Sequence, residues 1–297
     1  MLKQISKVIN DSKKTVKASH INNIAKDYSY LECFLNTGKK KFIEKDEESS
    51  DEFEVEIYQS LYLIQRLECS EAILNFEKNR SVESFNIFLN SIYMEIIRFN
   101  LVADNIRDVK TVFLESDLVL LYFFIIIYCS DHLVDFEIKL ESGLNQLINY
   151  HTIKNLDLKK YAGRNSLCYL AYIVSKKINN NSYISELFLK SCEKNIDPIY
   201  NKISKIDQLN NEEKKEIIGE LVDYHLKNSK LDHFSSPFFR KYWIYYPLEI
   251  FIVIKIFNMS DFIKNDDELL SRFNSFFLND FIPSERNIDL MEMSLKK

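Results

Sequence analysis

The sequence is poor in the two residues that shape tight turns. Its 297 residues include only four glycines and four prolines. Glycine reaches positive φ and proline fixes φ at about −65°, so the turns between strands depend on them. Eight such residues are too few to connect the strands of a large sheet. We therefore predict an all-α fold, a multi-helix bundle whose helices are joined by short polar loops.

The sequence also lacks the motifs of common catalytic sites. It contains no glycine-rich phosphate loop, no G-x-S-x-G elbow and no H-E-x-x-H pattern. The nearest approach to a metal cluster is Asp131, His132 and Asp135, which a helix start with Ser130 or Asp131 as its cap explains better. We therefore expect no enzyme, no catalytic residue, no metal and no cofactor.

Long apolar runs and cysteine pairs are scarce as well. The main apolar run, residues 118–130, is thirteen residues long, whereas a membrane helix needs about 20. We predict a buried helix at the centre of the bundle.

The five cysteines are scattered, with no C-x-x-C pair, which indicates reduced thiols, most of them in the core. No apolar segment follows the first lysines, so we expect no signal peptide and a cytoplasmic protein.

The net charge is −5, from 39 basic and 44 acidic residues. This argues against a nucleic-acid-binding domain, which is usually basic. The charge is unevenly spread, because residues 1–41 carry nine lysines and only three acids. An acidic run at residues 44–56 predicts an exposed loop that enters a helix from about Glu52. Residues 266–268 are also acidic and most simply start a helix.

Apolar residues recur at three- and four-residue steps over most of the chain, as in amphipathic helices. One such helix ends at Gly38. Further helices are predicted at about 81–103, 108–128, 131–149, 155–178, 183–206 and 211–228, the last capped by Asn211 with a stripe of Ile217, Ile218, Leu221, Val222 and Leu226. We expect two helical halves, residues 1–150 and 151–297, packed into one body, with the boundary near 149–156 or 178–183.

The segment from Tyr242 to Phe257 is almost entirely apolar and predicts an enclosed helix. Pro247 either kinks this helix or begins it. In the second case Glu249 lies in the first turn. Glu249 is then either a helix N-terminal charge or a buried acid bonded to tyrosine hydroxyls, an arginine or a lysine. The functional alternative for Glu249 is a contact with a partner.

Residues 215–283 also contain an ordered set of motifs. The set comprises the pair Tyr242 and Trp243, then Glu249, an aliphatic run that ends in Lys255 and Ile256, and a turn with Asp261. This order resembles the C-terminal domain of the PoNe-immunity (PoNi-like) family. The family's turn glycine is Asn258 here, and its closing Tyr-Tyr-Pro is residues 281–283. Pro247 departs from the family pattern, and Glu249 lies further from the aromatic pair.

The resemblance implies a cytoplasmic immunity protein. Such a protein binds the cognate nuclease toxin of interbacterial competition and occludes its active site or substrate surface, with no nucleic-acid or membrane partner. The residues that match the family motif, Tyr242, Trp243, Glu249, Lys255 and Asp261, are expected to be structural.

Acidic residues are the candidates for contact with the toxin, because nuclease sites are basic where phosphates lie. They form two clusters, which are Asp46, Glu47, Glu48, Asp51, Glu52 and Glu54, and Asp266, Asp267 and Glu268. Two alternatives stay open. One is an all-helical regulatory or adaptor scaffold that binds a peptide or protein, with Lys3, Lys7, Lys13, Lys14 and Lys17 as a nucleic-acid arm. The other is a cryptic enzyme with a metal at His132.

Overall fold

The structure is a computed structural model. It describes residues 2–19, 24–46, 49, 51–106, 113–154, 162–178, 182–192, 196–262 and 267–295. Over these residues the chain is mainly helical, and a pair of short strands forms one small sheet. The predicted all-α fold class is thereby confirmed.

The described part of the chain contains thirteen α-helices and two strands. The helices are α1 (Lys3–Ser19), α2 (Ala25–Thr37), α3 (Ile57–Lys78), α4 (Val82–Val102), α5 (Glu115–Tyr128), α6 (Leu133–Lys154), α7 (Ala162–Ile178), α8 (Ser182–Cys192), α9 (Pro198–Ile203), α10 (Asn211–Asn228), α11 (Lys241–Tyr245), α12 (Leu248–Ile256) and α13 (Glu285–Leu295). The strands are β1 (Lys41–Lys45) and β2 (Glu52–Glu56), paired antiparallel.

The chain forms two compact units, and neither is continuous in sequence. The first comprises Met1–Val8 and Ala103–Asp280, and the second comprises Ile9–Val102 and Phe281–Lys297. This division differs from the predicted one, because residue 150 lies within α6 of the first unit. The reason is that α13 packs against α2 and α4 of the second unit, where Leu290 and Met291 are buried. Packing of this kind defines a unit whatever the distance along the chain.

Helix α5 lies at the centre of the first unit and packs against α6, α7 and α12. Every residue from Glu115 to Ile127 is buried, which confirms the predicted enclosed helix. Full burial of a leucine, isoleucine or phenylalanine side chain stabilises the fold by about 1.5–3 kcal/mol, so α5 is a main source of stability. Among the described helices, none has both the length and the hydropathy needed to cross a membrane.

The aromatic segment consists of two helices, α11 and α12, which agrees with the predicted alternative in which Pro247 marks the start of a helix. Every residue from Lys241 to Ile254 is buried, so the enclosure is confirmed. The break lies at Tyr246 and Pro247, because the residue before a proline disfavours helical geometry, and Tyr246 is extended with ψ 107°. Helix α12 begins directly after Pro247, with Glu249 in its first turn.

Two further helix predictions need correction. The helix expected at 183–206 is divided into α8 and α9, and the proline that opens α9 marks the new start. Helix α10 is capped by Asn210 and not by Asn211. The Asn210 Oδ1 atom accepts hydrogen bonds from the backbone N–H groups of Glu212 and Glu213, at 2.9 and 3.0 Å. Of the predicted apolar stripe on α10, all members are buried except Leu226, which is partly exposed.

The five cysteines are free thiols, four of them buried and Cys33 partly exposed. Burial raises the pKa of Cys192 to about 11 and raises the pKa of Cys129 as well. Raised pKa values lower the thiolate fraction, which is the reactive form. This agrees with the expectation that most of the cysteines are small residues of the core.

Candidate functional site

Trp243 of α11 is held in the interior of the first unit by Asp117 of α5. Trp243 donates its Nε1–H to Asp117 Oδ1 at 3.2 Å. Arg240 donates to the same carboxylate from Nε at 2.7 Å and from Nη2 at 3.0 Å. The backbone N–H of Leu114 adds a fourth bond at 3.1 Å. Because Asp117 and Trp243 are each 1% exposed, these contacts fasten α11 to α5.

The buried partner of Glu249 is His225 of α10. The Glu249 Oε1 and His225 Nδ1 atoms are 2.6 Å apart, and both side chains are fully buried. The other ring nitrogen, Nε2, is 3.1 Å from the carbonyl oxygen of Ile244. Because a carbonyl can only accept, Nε2 carries a hydrogen, and a second proton is shared between His225 and Glu249. The expectation of a tyrosine, arginine or lysine partner for Glu249 is therefore corrected to a histidine.

A histidine paired with a carboxylate is also the arrangement that orients a general base in many hydrolases. Buried Tyr200 and partly buried Tyr224 lie near this pair, and burial raises the pKa of each above the ordinary value for a phenol. Since His225 and Glu249 have no exposed surface, a substrate has no access to them. The pair therefore links α10 to α12 in the core.

Lys255 and Asp261, the last motif residues, flank the end of α12. The Lys255 Nζ donates to the carbonyl oxygen of Ile127 at 2.7 Å, in the last turn of α5, where carbonyls lack helical partners. Burial lowers the pKa of Lys255. Asn258 has a positive φ of 53°, and the next N–H, of Met259, donates to the Ile254 carbonyl at 2.8 Å. This is the helix ending in which glycine is preferred. Asp261 is exposed.

The acidic run at residues 44–56 is a β-hairpin and not a loop that enters a helix. Lys41 lies opposite Glu56 and Lys45 lies opposite Glu52. Ion pairs cross between the strands, from Lys41 to Glu54 at 2.7 Å and from Lys45 to Glu52 at 3.2 Å. Opposite charges and alternating apolar residues on facing strands stabilise a sheet. The charge run concealed this alternation, so the helix was predicted five residues too early.

The hairpin packs against α2 through one side, and several of its other side chains are exposed. Phe42 is buried and its ring stacks on Tyr30 of α2, with centroids 4.2 Å apart. Glu44 accepts a hydrogen bond from the Tyr30 hydroxyl at 2.9 Å. In contrast, Ile43 is 63% and Phe53 is 45% exposed. The hairpin thus presents large apolar side chains among carboxylates on an anchored support.

The acids predicted to bind the toxin have different surroundings in the structure. Asp46 Oδ1 accepts from the backbone N–H of Ser49 at 2.8 Å, so it shapes the hairpin turn. Asp51, Glu52 and Glu54 are exposed, and the last two retain 58% and 43% side-chain exposure despite their lysine partners. Glu47 and Glu48 lie outside the described residues.

The second predicted acidic cluster is engaged locally. Asp267 Oδ1 accepts from the backbone N–H groups of Leu269 and Leu270, at 2.9 and 2.7 Å. These bonds cap a short 3-10 turn, Leu270–Arg272, in place of the expected helix. Glu268 is exposed, and Asp266 lies outside the described residues. Asp267 thus has a structural role in the chain turn.

Asp131, His132 and Asp135 are all exposed, at the turn that precedes α6 and in its first turn. Across the described residues, no group of three or more histidine, cysteine, aspartate or glutamate side chains is placed to hold a metal ion.

A groove of about 700 Å³ in the second unit was not foreseen from the sequence. Among the residues that line it, Arg286 donates two hydrogen bonds to the Glu68 carboxylate, at 2.7 and 2.6 Å. Two asparagines of α4 bind the backbone of residues 282–284, which also line the groove. Asn86 Oδ1 accepts from the N–H of Ile282 at 3.0 Å and Asn90 Oδ1 accepts from that of Ser284 at 2.7 Å. The spacing of Asn86 and Asn90 by one helical turn was the available signal.

An exposed apolar face on α6 of the first unit was also missed. Val134 and Ile138, one turn apart, are 71% and 63% exposed. Tyr183 of α8, 44% exposed, meets Asn145 of α6 at 3.4 Å. The signal in the sequence was that α6 has apolar residues on two faces, which an ordinary amphipathic surface helix does not.

Comparison of the chain with protein-family models, with characterised proteins and with solved structures finds no match.

Proposed function

We propose that this protein is a cytoplasmic immunity protein that binds a nuclease toxin and blocks its active site or substrate surface. The observation that carries the proposal is the exposed hairpin of β1 and β2. Over residues 41–56 it has eight acids and two lysines, together with two exposed apolar side chains, Ile43 and Phe53. This combination suits a partner whose surface is basic where nucleic acid binds. The motif resemblance of residues 215–283 supports the same function.

The two components of the hairpin have different tasks in binding. Carboxylates attract a basic partner and raise the association rate, up to about 10⁸–10⁹ M⁻¹s⁻¹ at low salt. Nanomolar to picomolar inhibition requires about −12 to −16 kcal/mol, which charge alone does not supply. Apolar side chains that become desolvated at the centre of an interface contribute much of the remainder. Ile43 and Phe53 are in position for this contribution.

The contacts in the interior of the first unit support binding through the protein surface. The motif residues Trp243 and Glu249 are bonded to Asp117 and His225 in the core, so their role is to hold helices together. Binding is then a property of the outer surface, and the hairpin is anchored through Phe42. An anchored element loses less conformational entropy on binding than a free loop does.

The test uses the nuclease encoded by a gene adjacent to that of this protein. We expect coexpression to protect cells from this nuclease, and the purified pair to bind with nanomolar affinity or tighter. The hairpin variant carries Glu52→Lys and Glu54→Lys. The control carries Glu216→Lys and Asp223→Lys, two exposed acids of α10, so the net charge of both variants is the same.

We expect the hairpin variant to associate at least about tenfold more slowly at low salt, with a weaker dependence on ionic strength. The control should stay within about twofold of the wild type. If the wild-type protein neither protects cells nor binds the nuclease, the proposed function is wrong. If both variants behave alike, the toxin binds at another surface.

The groove of the second unit favours the adaptor as a second candidate function. Asn86 and Asn90 bind the backbone N–H groups of Ile282 and Ser284 through their side-chain amide oxygens, and contacts of this kind bind a peptide irrespective of its sequence. Exposed Asn75 and Glu71 of α3 also line this groove. An adaptor would lose its partner on Glu71→Arg and keep it in the hairpin variant, whereas the immunity protein would show the opposite pattern in a binding titration.

A further inference from the structure

The lysines of α1 all lie on one side of the helix. At 100° per residue, Lys3, Lys7, Lys13, Lys14 and Lys17 fall within an arc of about 120°. The other residues in this arc are Ser6 and Asn10, so the stripe contains no acid. All five lysines are exposed. With a rise of 1.5 Å per residue, the lysine stripe is about 21 Å long.

Counter-charges distinguish these five lysines from several other lysines of the protein. Lysines paired with carboxylates include Lys26 with Glu44 at 2.6 Å and Lys202 with Glu220 at 2.5 Å. None of the lysine-stripe side chains forms an ion pair with any residue in the described ranges. The five lysines create a positive potential along this side of α1, although the net charge of the chain is −5.

The opposite side of α1 shows which kind of polyanion the stripe suits. Ile5, Val8, Ile9 and Ser12 are buried, so the apolar face of α1 is already packed in the protein. A helix that lies in a membrane surface inserts its apolar face between the lipids. This face is not available in α1, which leaves a straight row of charges with no inserting side chains. Such a row matches the regular phosphates of a nucleic-acid backbone.

We propose that the lysine stripe of α1 is a binding site for the phosphate backbone of nucleic acid, without base specificity. A stripe of about 21 Å equals the axial length of about six base pairs of a duplex, at 3.4 Å each. Up to five phosphate contacts would give a slope of log K against log salt of about −4.5 for duplex DNA. This activity is additional to the proposed immunity function and does not depend on it.

The experiment measures binding of the full chain to a fluorescently labelled 20-base-pair DNA duplex by anisotropy, between 25 and 200 mM NaCl. A 20-nucleotide RNA strand and phosphatidylserine vesicles form parallel arms. The test variant carries Lys3→Gln, Lys7→Gln and Lys14→Gln. The control carries Lys205→Gln, Lys227→Gln and Lys230→Gln, three exposed lysines outside α1, and has the same net charge.

We expect the wild type and the control to bind the duplex with the same steep salt dependence. The test variant should bind at least about tenfold more weakly at 50 mM salt. Its slope should be smaller by about 2.7, because each phosphate that is no longer neutralised accounts for about 0.9. RNA binding that falls in parallel would extend the site to both nucleic acids. Far-UV circular dichroism verifies that each variant is folded.

Three results would overturn the proposal. They are no duplex binding by the wild type at 25 mM salt, an equal loss of binding in the control, and tighter stripe-dependent binding to vesicles than to duplex. None of these measurements involves a toxin, so failure of this site leaves the immunity proposal intact, and the converse also holds.

Discussion

The guanidinium of Arg240 meets the buried carboxylate of Asp117 through two parallel hydrogen bonds, Nε to Oδ1 at 2.7 Å and Nη2 to Oδ2 at 3.0 Å. Paired forks of this kind are the strongest ion-pair geometry in proteins. Trp243 donates to the same carboxylate. A single aspartate of the central helix therefore fixes both the arginine that precedes α11 and the tryptophan within it.

Asp117→Ala should destabilise the first unit by about 3–5 kcal/mol, because it removes the buried carboxylate that accepts hydrogen bonds from Arg240, Trp243 and the backbone of Leu114. Adding Arg240→Leu should restore part of the stability. Urea unfolding followed by circular dichroism measures both effects. As a control, Asp207→Ala breaks the exposed pair with Lys177 and should cost less than about 1 kcal/mol. Equal costs for the two aspartates would show that Asp117 has no special role.

Glu249→Leu should also be strongly destabilising, by about 3–5 kcal/mol, since it leaves His225 buried beside an apolar side chain. Glu249→Gln keeps a hydrogen-bonding group and should cost less. The double variant His225→Phe, Glu249→Leu should be more stable than Glu249→Leu alone. Calorimetric unfolding of the four proteins gives the coupling energy directly.

Because Glu249 is fully buried, folded Glu249→Gln should bind the partner as tightly as the wild type does. Loss of binding with retained stability would instead assign Glu249 to the interface. This outcome separates the structural interpretation of Glu249 from the functional one, which the sequence left open.

Substitutions at Asn258 should follow its positive φ. Asn258→Ala should cost up to about 1 kcal/mol, because alanine keeps the Cβ that disfavours the left-handed region and loses the short polar side chain through which asparagine offsets that cost. Asn258→Gly should be neutral or slightly stabilising. Asn279, which has no positive φ, is the matched control, and its replacement by alanine should cost less. The urea midpoints of the variants test this order.

Asp27 should make the stability of the second unit depend on pH. Burial raises the pKa of Asp27 above its ordinary value of 3.8, so the folded protein binds this proton more tightly than the unfolded chain does. The resulting stabilisation is complete below pH 3.8 and is lost as the pH rises through the folded pKa. At neutral pH the partly buried charge of Asp27 opposes folding.

Asp27→Asn should therefore be more stable than the wild type at pH 7, and the difference should vanish towards pH 3.5. Urea unfolding between these pH values measures it. Asp223→Asn, at an exposed position of α10, provides the control. Parallel stability curves for Asp27→Asn and the wild type would contradict the raised pKa.

Much of the fold could be predicted because apolar periodicity records local burial. Helix α4 begins at Val82 and was expected from residue 81. The apolar run in α5 predicted that this helix is buried on all sides, as it is. The hairpin was missed because its acids masked the alternation of Phe42, Val55 and the residues between them. A run of charged residues indicates exposure to solvent, and it does not distinguish an exposed strand from an exposed loop.

The interior contacts could not be predicted, because they join residues that are distant along the chain. Asp117 and Arg240 are separated by 123 positions, and no local pattern connects them. His225 appeared in the sequence as an isolated histidine, and only the packing of α10 against α12 brings it to Glu249. The lysine stripe, by contrast, was visible as a charge pattern, and the structure added which side of α1 is exposed.

The division of the chain has a consequence for its synthesis on the ribosome. The second unit contains residues 9–102 and also residues 281–297, and Asn287 of α13 is bonded to Asn90 of α4. When Val102, the last residue of α4, has been translated, about 180 residues must still be added before α13 begins. Until then α4 keeps apolar surface exposed, and a premature stop anywhere before α13 yields a chain in which this unit is never completed.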